Sequence, residues 1–194
     1  MQVVRKTLGL VMLASLAVGG VGVELAVGGV GVELAGAAPG APQMASLTRA
    51  QKKSIAITIA YGPSGTWTKY HNRYPNTFNW GHDGCSVPSA LRKVKGVGWV
   101  LEHYSGVFKS PCDYHDFGYR NFGSKRPASG PYLHLEPTRA RKNSIDAKFH
   151  SRMDAACLKR YDDVWDIPAR GLCYKASDIF YGAVNHFGDG SFFA

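Results

Sequence analysis

Cys112-Asp-Tyr-His-Asp-Phe-Gly-Tyr-Arg-Asn-Phe122 is the stretch on which the reading of the whole chain turns. Pro111 stands just before it and Gly123 just after it. Proline suits an early helical position and glycine a terminating one, so the block reads as a short helix from about Pro111 to Phe122. His115 lies three residues after a cysteine, and a cystine at Cys112 gives its helix a rigid base. Successive helical residues diverge by about 100 degrees. His115 and Asp116 are therefore expected at two adjoining subsites, one suited to proton transfer and one to a cation.

Outward from this block, two further helices carry apolar stripes. Ile145, Phe149, Met153 and Cys157 recur every fourth residue and predict a helix over Ser144–Arg160. Ala176, Ile179, Phe180, Ala183 and Phe187 predict another over Tyr174–Phe187, ended by Gly188. Upstream, Ser46 is the expected N-cap of a helix running to about Ala60, with Leu47, Ile55 and Ile59 among its apolar positions. Residues 61–80 are rich in aromatics and turn formers. Gly81 to Gly84 reads as a tight polar turn into Cys85, residues 86–111 as a small basic cluster followed by an apolar stretch, and Ser124–Lys142 as a basic surface loop. Sustained strand alternation is missing from the sequence. The expected fold is all-α.

The 194 residues include 45 % apolar and 19 % charged residues, which marks a globular chain and excludes a disordered one. Residues 1–37 have the parts of an export signal: Arg5 and Lys6, an apolar and small-residue run over Leu8–Val23, and an A-x-A pattern at Ala35–Ala37. Within it, VGGVGVELA at Val18–Ala26 repeats unchanged at Val27–Ala35. The acids Glu24 and Glu33 and the many glycines argue against a membrane anchor. Residues 38–45 read as a linker and 46–194 as one catalytic domain. The signal contains two charges of each sign, so the net charge of +9 survives its removal and favours anionic partners.

Four cysteines in an exported chain indicate two disulfides with three possible connectivities; sequential pairing, Cys85–Cys112 and Cys157–Cys173, closes two modest loops and is preferred. Zinc is the competing use of these cysteines, but paired C-x-x-C elements are absent.

A neutral imidazole takes a proton from water near pH 7 when a second group fixes its tautomer. Asp146, at the edge of the second helix's stripe, is the candidate orienter for His115; a capping or solvated aspartate at that position is the plainer alternative. Asp116 needs a cation or an arginine. Asp83 supplies a second carboxylate and Gly84 an exposed carbonyl, and together with water these suit calcium, which takes about 6–8 oxygen ligands. A simple Asp-Gly turn is again the alternative.

At these residues the chain resembles the secreted phospholipase A2 family of bacteria and fungi. The elements concerned are Asp83-Gly84-Cys85, the Cys112–Phe122 block, and Asn143-Ser-Ile-Asp146 before a helix ending near Cys157. The resemblance implies a disulfide-stapled helical fold with a two-helix catalytic core. It further implies hydrolysis of the sn-2 ester of glycerophospholipids, with His115 as general base, Asp146 holding its imidazole, and Asp83, the Gly84 carbonyl and Asp116 as calcium ligands. The glycine-rich calcium loop and paired cysteines of the animal enzymes are absent, and the segment between Phe122 and Asn143 is longer than the family pattern. The expected setting is extracellular: a monomer acting on lipid at a membrane or micelle interface, without nucleic acid. Arg92, Lys93, Lys95, Lys125, Arg126, Arg139, Arg141 and Lys142 are the expected contacts to anionic lipid. Two rivals remain, a basic exported nuclease using His115 and a non-enzymatic toxin or lipid-binding module.

Overall fold

The computed structural model describes residues 47–86 and 93–193. The expected signal segment, the linker, Ser46 and Arg92 lie outside the described residues. Those described form helices joined by irregular segments, and among them there is no strand. None of their helices is long and apolar enough to cross a membrane.

Helix α1, Arg49–Tyr61, begins in a capping box: the Thr48 hydroxyl accepts from the Gln51 N–H, and the Gln51 side chain accepts from the Thr48 N–H. The N-cap is thus Thr48 in place of the expected Ser46. Helix α2, Thr66–Arg73, and helix α3, Val97–Ser105, occupy stretches that read as aromatic-rich and apolar. Helix α4, Lys109–Phe122, bears the Cys112–Phe122 block and stops at Gly123.

Helix α5, Arg139–Arg160, starts five residues before the predicted boundary because Thr138 caps it by accepting from the Arg141 N–H. A 3₁₀ turn, Val164–Asp166, leads into helix α6, Ile167–Phe187, which starts seven residues before the predicted boundary and carries a proline in its first turn. Helix α7, Asp189–Phe192, closes the described chain and buries Phe192 completely.

The two expected disulfides are present. Cys157–Cys173 joins the end of α5 to the start of α6, while Lys142 near the start of α5 reaches the Val184 carbonyl near the end of α6, so the two helices are antiparallel. Helix α4 also runs antiparallel to α5: Gly118 faces Ile145, and Phe122 lies under the Arg141 guanidinium.

Two apolar clusters result. One joins α1 to Tyr74, Phe78, Phe117, Phe122, Ile145 and Phe192. The other joins α3 and Phe108 to Cys112, Phe149, Met153 and the disulfide-linked parts of α5 and α6. Phe117 and Phe122 of α4 belong to the first cluster and Cys112 to the second, which sets His115 between them.

The close approach of α4 to α5 depends on Gly118. A Cβ there would meet Ile145 Cγ2 at 2.9 Å and its Cδ1 at 3.2 Å. Overpacking of this kind costs about 1–3 kcal/mol, against about 1 kcal/mol gained in helix propensity. Gly118→Ala is therefore expected to lower stability by about 1 kcal/mol in denaturant unfolding. Unchanged or increased stability would contradict a tight contact between these helices.

Candidate active site

His115 and Asp146 face each other across the α4–α5 contact, with Nε2 2.9 Å from Oδ1. Asp146 is completely buried and His115 keeps 8 % exposure. A carboxylate only accepts, so Nε2 carries the proton and Nδ1 is left as the basic nitrogen. The ring is wedged between Tyr119 and Phe149, with centroids at 4.2 and 4.6 Å.

Two further donors satisfy the carboxylate. Tyr119, one turn after His115, donates to Oδ1 at 2.8 Å. Lys142, one turn before Asp146, donates to Oδ2 at 2.8 Å. Burial by itself would raise the Asp146 carboxyl, but the bonds from His115, Lys142 and Tyr119 outweigh it and hold the group below its ordinary value. By linkage, this contributes stability above the unfolded carboxylate range that is lost as pH falls through the depressed value. The Tyr119 hydroxyl is raised by burial and by the Asp146 charge, and remains a donor.

Lys142 corrects an expectation, for it is wholly buried and no part of a lipid-facing surface. Arg141 is likewise engaged, with its Nη2 2.6 Å from Glu136, and Arg139 pairs with Asp189. Lys93, Lys95, Lys125 and Arg126 are exposed.

The segment with Asp83 and Gly84 is held along α4 by three ties. The Cys85–Cys112 disulfide closes one end. At the other, the buried Asn121 amide accepts from the Asn79 N–H at 2.9 Å and donates to the Asn79 carbonyl at 2.8 Å. In between, the Asp83 N–H donates to Asp116 Oδ2 at 3.0 Å. Gly84 has φ +72, which glycine adopts without strain.

The structure thus brings Asp83, Gly84 and Asp116 together beside His115. Burial, and next the Asp83 carboxyl, push Asp116 up to about 8, while the Asp83 N–H and Arg120 oppose the shift only in part. Such a pair of hard oxygen donors is deficient in positive charge, and the Arg120 guanidinium, 3.6 Å from Asp83, supplies it incompletely. The donor set therefore fits a calcium ion. Among the described residues no group of three or more His, Cys, Asp or Glu side chains gathers around one point, so carbonyl and water oxygens have to complete the shell. The Gly84 carbonyl already accepts from the Ser86 N–H at 2.8 Å and retains one lone pair for this purpose.

Asp83, Gly84, His115 and Asp116 line one cavity of about 360 Å³, and Asp146, which holds His115, is not part of its lining. The lining includes the basic side chains of Arg120, Lys125 and Arg126 and the apolar ones of Phe149, Phe180, Ala183, Val184 and Phe187. Sequence reasoning passed over Tyr119 and Asn121 and placed Lys142 on the lipid-facing surface instead of beside Asp146. The i, i+4 spacings of His115 to Tyr119 and of Lys142 to Asp146 were the available signals.

The family model for prokaryotic phospholipase A2 matches residues 61–188, well over half of the chain. A secretory phospholipase A2 of Beauveria bassiana (strain ARSEF 2860) is 26 % identical over 130 residues, which cover 65 % of this chain and 53 % of that protein. The chain thus spans about half the length of this curated relative.

Calcium is expected to raise the thermal midpoint by binding only the folded state. Asp116→Asn removes the desolvated carboxylate, so it is expected to leave the calcium-free midpoint equal or higher and to abolish most of the calcium-induced shift. Equal shifts in both proteins, followed by scanning calorimetry, would remove Asp116 from the ligand set.

Proposed function

The chain belongs to the prokaryotic phospholipase A2 family, and on that basis we propose that it hydrolyses the sn-2 ester of glycerophospholipids, using water activated by His115 with calcium as cofactor. The observation that carries the reading is the buried His115–Asp146 pair, whose histidine opens on a cavity lined by both basic and apolar side chains. The basic side chains suit a phosphate and the apolar ones an acyl chain.

In the proposed reaction Nδ1 of His115 accepts a proton from water as the water oxygen attacks the ester carbonyl carbon. The bond from that carbon to the sn-2 oxygen then breaks, and the imidazolium returns the proton to the leaving oxygen. The products are a fatty acid and a lysophospholipid, with no covalent enzyme intermediate. Asp146 keeps Nε2 protonated and balances the imidazolium while it lasts. Phe149 and Tyr119 fix the plane of the ring. Asp83, Asp116 and the Gly84 carbonyl would hold the calcium, which would supply positive charge for the substrate phosphate and the developing oxyanion.

The chain is proposed to act outside the cell, as a monomer at a lipid surface. Two disulfides favour an oxidising compartment, and the fungal relative is named as secretory. The net charge of +9 favours anionic lipid, and Arg126 is exposed at the edge of the cavity.

Fatty-acid release from phospholipid vesicles is expected with calcium and not in excess chelator, while plasmid DNA stays intact under both conditions. Full hydrolysis in chelator would refute the cofactor, and DNA cleavage without fatty-acid release would favour a nuclease. Arg126→Gln is expected to weaken partitioning onto vesicles rich in phosphatidylglycerol by about 1 kcal/mol, roughly five-fold, and to leave binding to neutral vesicles unchanged. Equal loss on both surfaces would remove Arg126 from headgroup recognition.

A further inference from the structure

Lys142 closes a basic run, Arg139-Ala-Arg-Lys142, that reads as solvated, yet its side chain has no exposure. A buried ammonium is costly unless its protons are met. Its Nζ donates to Asp146 Oδ2 at 2.8 Å and to the Val184 carbonyl at 3.1 Å, and lies 3.6 Å from Asp189 Oδ1. Asp189 is in turn paired with the exposed Arg139. A line of alternating charges therefore runs from the surface through Asp189, Lys142 and Asp146 to His115.

We infer that Lys142 is a positioning residue for the His115–Asp146 pair, an inference that rests on the function proposed above. The Cβ–Cγ torsion of an aspartate is broad and roughly two-fold, so bonds to one oxygen leave the carboxylate free to rock. Oδ1 is shared by His115 and Tyr119, and among the described residues Lys142 is the donor to Oδ2. Lys142 thereby fixes the carboxylate plane and keeps Oδ1 aimed at the imidazole. The same ammonium holds the Val184 carbonyl, at the helix end that supplies Val184, Phe187 and Gly188 to the cavity wall. Proton acceptor and wall are registered against one buried charge.

The test compares the full-length parent, Lys142→Gln, Lys142→Met, Asp146→Asn and the Lys142→Met/Asp146→Asn double variant. Each is assayed at saturating calcium on a monomeric short-chain phosphatidylcholine, with activity counted per folded molecule. Lys142→Met is expected to lower kcat about ten-fold or more with KM nearly unchanged. Lys142→Gln, which keeps an N–H donor, should fall between parent and Met. If Lys142 acts through Asp146, Lys142→Met adds little to Asp146→Asn. Losses in kcat that multiply in the double variant would overturn the inference, as would a lowered melting temperature with unchanged kcat.

A second readout needs no activity: the His115 ring N–H proton resonance should be visible in the parent and shift in both Lys142 variants. An unmoved resonance contradicts the inference. A parent protein that releases no fatty acid defeats the functional reading, and the resonance then decides the role of Lys142 alone. Should Lys142→Met fail to fold, Lys142→Gln decides by the same two measures: a fall in kcat with a shifted resonance supports the role, and parent values in both overturn it.

Discussion

A carboxylate taken wholly out of water has to be met by donors, and at Asp146 they converge from three sides: an imidazole, a phenol and an ammonium. This requirement shapes the neighbourhood. It selects a lysine for the first turn of α5, where the chain otherwise reads as surface, and a tyrosine one turn beyond His115 on α4. It also draws in the end of α6 and, through Asp189, the short α7. Satisfied in this way, the carboxylate stays ionised although burial acts against it. The imidazole beside it consequently has one nitrogen committed and one free.

The second carboxylate site follows the opposite logic. Asp83 and Asp116 are brought together by a disulfide, by a side-chain amide that pairs with a backbone segment, and by a single N–H bond. None of these ties neutralises the charge they gather. Asp116 is consequently driven up, whereas Asp146 is driven down. Two aspartates on adjacent helices thus meet contrasting environments, one saturated with donors and one short of them. Saturation suits a residue that orients an imidazole, and deficiency suits a ligand for a divalent cation.

The helices with strong periodicity and a glycine stop were legible in the sequence: Phe122 and Phe187 end their helices where expected. Helix starts were read less well. The first turn of α5 is Arg-Ala-Arg-Lys, whose charge masks both the Thr138 cap and the continuation of the buried stripe to Lys142. The first turns of α6 carry exposed apolar residues and Gly171, so their periodicity is weak. Helix α2 buries no residue completely and therefore leaves no stripe to find. The proximity of His115, Asp116, Asp83 and Gly84 was legible because a cysteine next to each segment suggested a bridge. The roles of Lys142 and Asn121 were not, since a lysine is seldom wholly buried and an asparagine within a helix has no distinctive signature.

The central claim is that His115 is the base and that the architecture around it serves that role. It is tested most directly by measuring fatty-acid release by folded His115→Gln at saturating calcium. Glutamine keeps a donor for Asp146 and leaves Asp83, Gly84 and Asp116 in place, so the helices, the disulfides and the calcium-induced thermal shift should persist. Turnover should nevertheless fall by about 10²–10⁴-fold, the usual consequence of losing a general base. Near-parent turnover by that folded protein would make His115 a structural residue and contradict the account.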